Sequence, residues 1–154
     1  MPNWIKGTMK LRGKREDVMR FLDNEIEPNS SDKACVERTV DDDFVEYTFF
    51  NNPHVKGTRR MFFDDQTIYM EDDDASVCID VRQAWSFSPR EGKEDLQLLE
   101  DFTKKYNIDI KLFGIESGFC FTQEVIVIRG CRAINNVKQY EDWFWDCPFP
   151  IMGG

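Results

Sequence analysis

The chain has a single histidine, His54, and no Cys-x-x-Cys pair among its five cysteines. One imidazole cannot build a histidine-rich metal site, and no cysteine lies within four positions of it, so His54 reads as a loop residue after Pro53. Cys35, Cys78, Cys120, Cys131 and Cys147 form an odd set, read as reduced cytosolic thiols rather than a disulfide framework. No apolar run approaches the roughly 20 residues of a membrane span. Nor does a basic stretch followed by an apolar one stand near Met1, so no secretory signal is expected and the setting reads as cytoplasmic. The phosphate-binding, dinucleotide-binding and nucleophile-elbow motifs are all missing, so no cofactor, metal or catalytic residue is assigned. A protein that works by binding rather than catalysis is expected.

Basic residues are also in short supply, with 20 Lys and Arg against 29 Asp and Glu, for a formal net charge of −9. That balance opposes non-specific nucleic-acid binding by the whole surface and favours basic partners. The acids concentrate in two runs, Asp41-Asp42-Asp43 and Glu71-Asp72-Asp73-Asp74. Neither has the glycine and terminal glutamate spacing of a calcium loop. They are candidates for an acidic surface that engages a basic host protein.

Hydrophobic residues make up 41% of the 154 residues, and aromatics 14%. This is enough for one globular domain spanning 1–154. The N-terminal segment is the most informative. Read with period two, Ile5, Gly7, Met9 and Leu11 form an apolar side, while Trp4, Lys6, Thr8, Lys10 and Arg12 form an aromatic and cationic side. A helix follows from about Lys14 to Ile26, with Val18, Phe21, Leu22 and Ile26 at helical spacing and Pro28 as its stop.

Further strands are predicted at Phe44–Phe50, Arg59–Phe63 and Thr67–Glu71, the last two as a hairpin around Asp64-Asp65-Gln66. Alternation from Ala75 to Phe87 gives another. Ser88-Pro89-Arg90-Glu91 carries a capping box for a helix whose buried stripe is Leu96, Leu99, Phe102 and Tyr106, closed by Asn107. Strands then run over Ile108–Ile115 and Phe119–Arg129, and Asn136–Trp145 reads as an amphipathic helix. This order predicts an α+β, ferredoxin-like β-α-β-β-α-β sandwich with an extra hairpin and a C-terminal strand and helix.

In such a sandwich the first strand is central, helices cover one sheet face, and the other face is either open or covered. If open, Trp4, Lys6, Lys10 and Arg12, joined by Trp85 and by Tyr47 or Phe49, would form a stacking platform with phosphate partners for single-stranded nucleic acid or a nucleotide. If covered, Trp4 is a packing anchor beneath the tail, because Trp143, Trp145 and Phe149 also need burial.

Three segments carry a family resemblance. Met1-Pro2-Asn3-Trp4 leads into an alternating strand ending at Arg12-Gly13. Ala84-Trp85-Ser86 ends a strand just before a helix. Glu116-Ser117-Gly118-Phe119, with Phe121 at the later aromatic position, forms a turn between the last strands. In this order they resemble the YubB-type ferredoxin-like proteins of phages and plasmids. The resemblance implies a mobile-element origin and supplies no catalytic residues. Joined with the acidity, it makes an accessory protein the expected reading, in particular an inhibitor that mimics nucleic acid toward a host nuclease or defence protein. Single-stranded nucleic-acid or nucleotide binding on the first-strand face is the alternative.

Overall fold

The computed structural model describes residues 3–30, 34–58, 60–87 and 94–149, without the side chains of 94, 95, 132 and 133. Strand β1 (Trp4–Lys14) runs straight into helix α1 (Arg15–Glu25). Short β2 (Ile26–Glu27) is followed by β3 (Val36–Val40), β4 (Val45–Phe49), β5 (His54–Val55), β6 (Met61–Phe63), β7 (Gln66–Met70) and β8 (Asp74–Ala84). Helix α2 (Glu94–Tyr106), β9 (Asp109–Glu116), β10 (Phe121–Ile128), β11 (Cys131–Gln139) and the single turn α3 (Trp143–Asp146) complete the chain.

Eight strands form one antiparallel sheet in the order β11-β10-β9-β1-β8-β6-β5-β2, and β3-β4-β7 form a second. The expected ferredoxin-like sandwich does not form. Its hairpin is split: β6 pairs with β8 in the large sheet, while β7 pairs with β4 in the small one. Asp64 and Asp65 mark the divergence, Asp64 ion-paired to Arg82 and Asp65 accepting the Asn52 backbone N–H. The expected C-terminal helix is mostly strand, since Val137 and Lys138 pair with Gln123 and Thr122. The capping box at 88–91 lies outside the described residues.

One face of the large sheet is the core. Ile5, Met9 and Leu11 point there with Val77, Ile79 and Val81 of β8, Ile110 and Leu112 of β9, and Val125 and Val127 of β10, all buried. Val18, Phe21 and Leu22 of α1 and Leu96, Leu99, Phe102 and Tyr106 of α2 close over them. The small sheet joins the same core through Phe49, which meets Phe63 edge-on at 5.1 Å. Tyr47 is buried beside it, its hydroxyl donating to Asp23 Oδ1 at 2.9 Å, so neither Tyr47 nor Phe49 reaches the other side. Asn107 closes α2 in the left-handed region, at φ 53°, as its place after Tyr106 suggests.

Glu25 is a buried carboxylate bridging α1 and α2. Burial pushes its pKa up, but hydrogen bonds from Lys105 Nζ (2.8 Å) and the Tyr106 hydroxyl win and hold it below its ordinary 4.5. Such a group adds stability above about pH 4.5, and that stability is lost as the pH falls through the lower folded value. Glu25→Gln is therefore expected to cost about 1–2 kcal/mol at neutral pH and far less in acid. Urea titrations at several pH values check this, and a penalty independent of pH would contradict it.

Candidate nucleic-acid interface

The second face of the large sheet is where the alternation of β1 sends its polar side. Lys6, Lys10 and Arg12 are exposed there, as are Ser76, Cys78 and Asp80 of β8. Register extends the row sideways. Lys6 stands between Arg82 and Ile115, Thr8 between Asp80 and Phe113, and Lys10 between Cys78 and Lys111. Beyond β9 come Glu124, Ile126 and Ile128 of β10, then Ile134, Asn136 and Lys138 of β11.

Trp4 is half-buried rather than sealed. It reaches across Ala84, its register partner, to Phe62 at 6.0 Å between ring centroids. The Arg82 guanidinium lies 5.9 Å from the Phe62 centroid, and His54 meets the same ring edge-on at 6.0 Å. His54 is thus held in β5, with Nε2 3.0 Å from Glu27 Oε1, rather than free in a loop. Phe113, 37% exposed, supplies a further ring.

Among the described residues, the tail up to Phe149 does not cover this face as its apolar character predicts. Tyr140 and Trp143 fold only over its upper end, where they bury Ile115 with Cys147. The Tyr140 hydroxyl lies 3.4 Å from Thr122 Oγ1, and the Trp143 ring meets Tyr140 edge-on at 5.6 Å. Trp145 stays 86% exposed, and Phe144 and Phe149 are exposed too. With Trp143 sufficient to cap Ile115, a four-residue helix has no second apolar surface to offer them.

The segments at Asn3-Trp4, Ala84-Trp85-Ser86 and Glu116-Ser117-Gly118-Phe119 meet at that upper end. The Trp85 N–H donates to the Asn3 carbonyl at 2.8 Å. The buried Glu116 carboxylate accepts the N–H groups of Gly118 (3.0 Å) and Phe119. A Cβ on Gly118 would sit 2.6 Å from Asn3 Nδ2 and 2.9 Å from Glu116 Oε1, so a larger residue would have to displace these side chains. The Glu116 carboxylate and the room at Gly118 are thus used within the turn itself. Trp85 itself turns away from β8 at φ 67°, a conformation that bulky residues rarely adopt, and is half-buried.

The acidic runs sit elsewhere. Asp41–Asp43 form the β3–β4 turn and Glu71–Asp73 the β7–β8 turn; register puts both at one end of the small sheet, beside Val40, Val45 and Met70. Part of the second run is already neutralised: Asp74 pairs with Lys14 at 2.6 Å and Asp73 with Arg15 at 3.4 Å. Asp41, Asp42, Asp43, Glu71 and Asp72 are exposed.

Among the described residues no group of His, Cys, Asp or Glu is placed to hold a metal ion, and no helix is long and apolar enough to cross a membrane. The arrangement defines a β-rich protein with one sheet face covered by helices and one that the described residues leave largely uncovered. The chain matches no protein-family model, no curated protein and no solved structure.

Proposed function

We propose that the protein binds single-stranded nucleic acid along the uncovered face of the large sheet. The observation that supports this most is the survival of the row Lys6, Lys10 and Arg12 as an exposed track, headed by Trp4 and Phe62. Two residues of a strand rise by roughly 6.6 Å, so Lys10 and Arg12 stand about that far apart and Lys6 about twice as far from Lys10, a row along which backbone phosphates could lie. The rings offer stacking surfaces that tolerate any base. On a chain of net charge −9, repulsion elsewhere confines the strand to this track. The resemblance to phage and plasmid proteins fits a mobile-element accessory role, in which displaced or replicating strands would be the target.

A second reading is docking of a basic host protein, such as a nuclease or defence factor, on the acidic end of the small sheet. The meeting of Asp41–Asp43 with Glu71–Asp73 at that end favours it. The ion pairs to Lys14 and Arg15 reduce its free charge, and for that reason we rank it second.

Titrating the protein with fluorescent oligothymidine at low and high salt tests the first reading. Binding is expected to weaken steeply with salt, with a slope of about 0.7 per phosphate contacted. Intrinsic tryptophan emission should change as bases stack near Trp4. Absence of binding at low salt would overturn this reading in favour of the acidic end.

A further inference from the structure

The lower half of the track ends in a depression of about 310 Å³, whose lining includes Lys10, Arg12, Asp109, Lys111, Ile126 and Ile128. Building on the nucleic-acid reading, we propose that this depression is a subsite for the phosphorylated end of a strand.

The charges that line the depression are unevenly matched. Arg12 donates to Asp109 Oδ2 through Nη2 at 2.7 Å and Nε at 3.0 Å, and Arg129 Nε lies 3.8 Å from Asp109 Oδ1. Lys111 pairs with Glu124 at 2.6 Å. Lys10, between them and exposed, has no hydrogen bond or ion pair among the described residues. The pocket therefore holds surplus positive charge beside two further cations able to turn toward a ligand. A terminal phosphate carries about −1.5 to −2 charges near neutral pH, more than a bridging phosphodiester, and gains most from such a cluster.

The shape points the same way. Ile126 and Ile128 form an apolar wall on which a terminal sugar or base can lie, with Ile128 42% exposed. Past Arg12 the track meets acid. Asp74 stands opposite Lys14 on the same face, and Asp73 follows, with side chains 80% and 89% exposed. Lys14 and Arg15 already pair these two acids, so no surplus cation continues the track past the pocket.

Competition against a bound fluorescent oligothymidine tests this. Unlabelled short strands would carry a 5′-phosphate, a 3′-phosphate or hydroxyls at both ends. One phosphorylated form is expected to compete at least about fivefold better than the hydroxyl form, as one added charge-assisted contact would give. Lys10→Gln should erase that preference, whereas Lys6→Gln should weaken all three strands alike and retain it. If the wild-type protein binds all three equally, the end-specific pocket is wrong while the nucleic-acid face stands. If none binds, the face reading fails and this inference with it.

Discussion

Replacing Gly7 with alanine is expected to cost on the order of 3 kcal/mol or more, a large share of the roughly 5–15 kcal/mol that holds a domain folded. A Cβ at this position would lie 1.9 Å from the Phe113 carbonyl oxygen and 2.5 Å from the Gly114 Cα. Both are backbone atoms of β9, and Gly114 is the register partner of Gly7. No rotamer change relieves such a clash, so β1 and β9 would have to part at the centre of the sheet. Gly13→Ala in the same strand supplies the comparison. Its Cβ would meet a side-chain methyl, Cγ2 of Ile108, at 3.0 Å, which a small shift relieves. Thermal unfolding by circular dichroism should show Tm falling by roughly 10 °C for Gly7→Ala and much less for Gly13→Ala. Equal losses would contradict the close approach of β1 and β9.

The double reversal Lys6→Glu with Lys10→Glu is expected to weaken oligothymidine binding by about 100-fold at low salt and to make the salt dependence shallower by roughly 1.4, about 0.7 for each phosphate contact removed. Both side chains are exposed and neither belongs to the core, so Tm should move little. Measuring binding and Tm on the same preparations separates lost recognition from lost fold. Undiminished binding by a folded double variant would remove β1 from the interface.

What the sequence disclosed follows from how locally each element is determined. Strand β1 and helix α1 are legible because Ile5, Met9, Leu11 and then Val18, Phe21 and Leu22 change period from two to 3.6 at the junction, and both segments bury the face that the pattern marks. Strand β11 is not legible as a strand. It is an edge whose Asn135, Asn136, Lys138 and Gln139 are exposed, so no alternation is imposed on it, and Val137, Tyr140 and Phe144 fall by coincidence at helical spacing. Strand β3 escapes for the same reason, as Glu37, Arg38, Thr39 and Val40 are all exposed.

The parting of β6 and β7 into different sheets depends on partners far along the chain, Val81 for Phe63 and Tyr47 for Ile68, which a local reading of Asp64-Asp65-Gln66 cannot see. The candidate interface shows the same limit. Trp4, Lys6, Lys10 and Arg12 announce themselves by alternation. Phe62, Arg82, Lys111, Ile126 and Ile128 enter only through strand register, and Trp85 stands beyond the end of its strand.

The central place of β1 also bears on how the protein is made. Strand β1 precedes both its partners in the chain, pairing on one side with Asp74–Ala84 and on the other with Asp109–Ile115, and the Arg12–Asp109 ion pair spans 97 positions. Until those segments emerge, Ile5, Met9 and Leu11 have neither neighbouring strand. Loop closure over such separations comes before any reward from pairing, so folding should be slow for a chain of this size. During synthesis the nascent chain would present β1 as an unpaired, half-apolar strand for much of the time, a natural substrate for chaperones and the segment through which misassembled copies would first stick together.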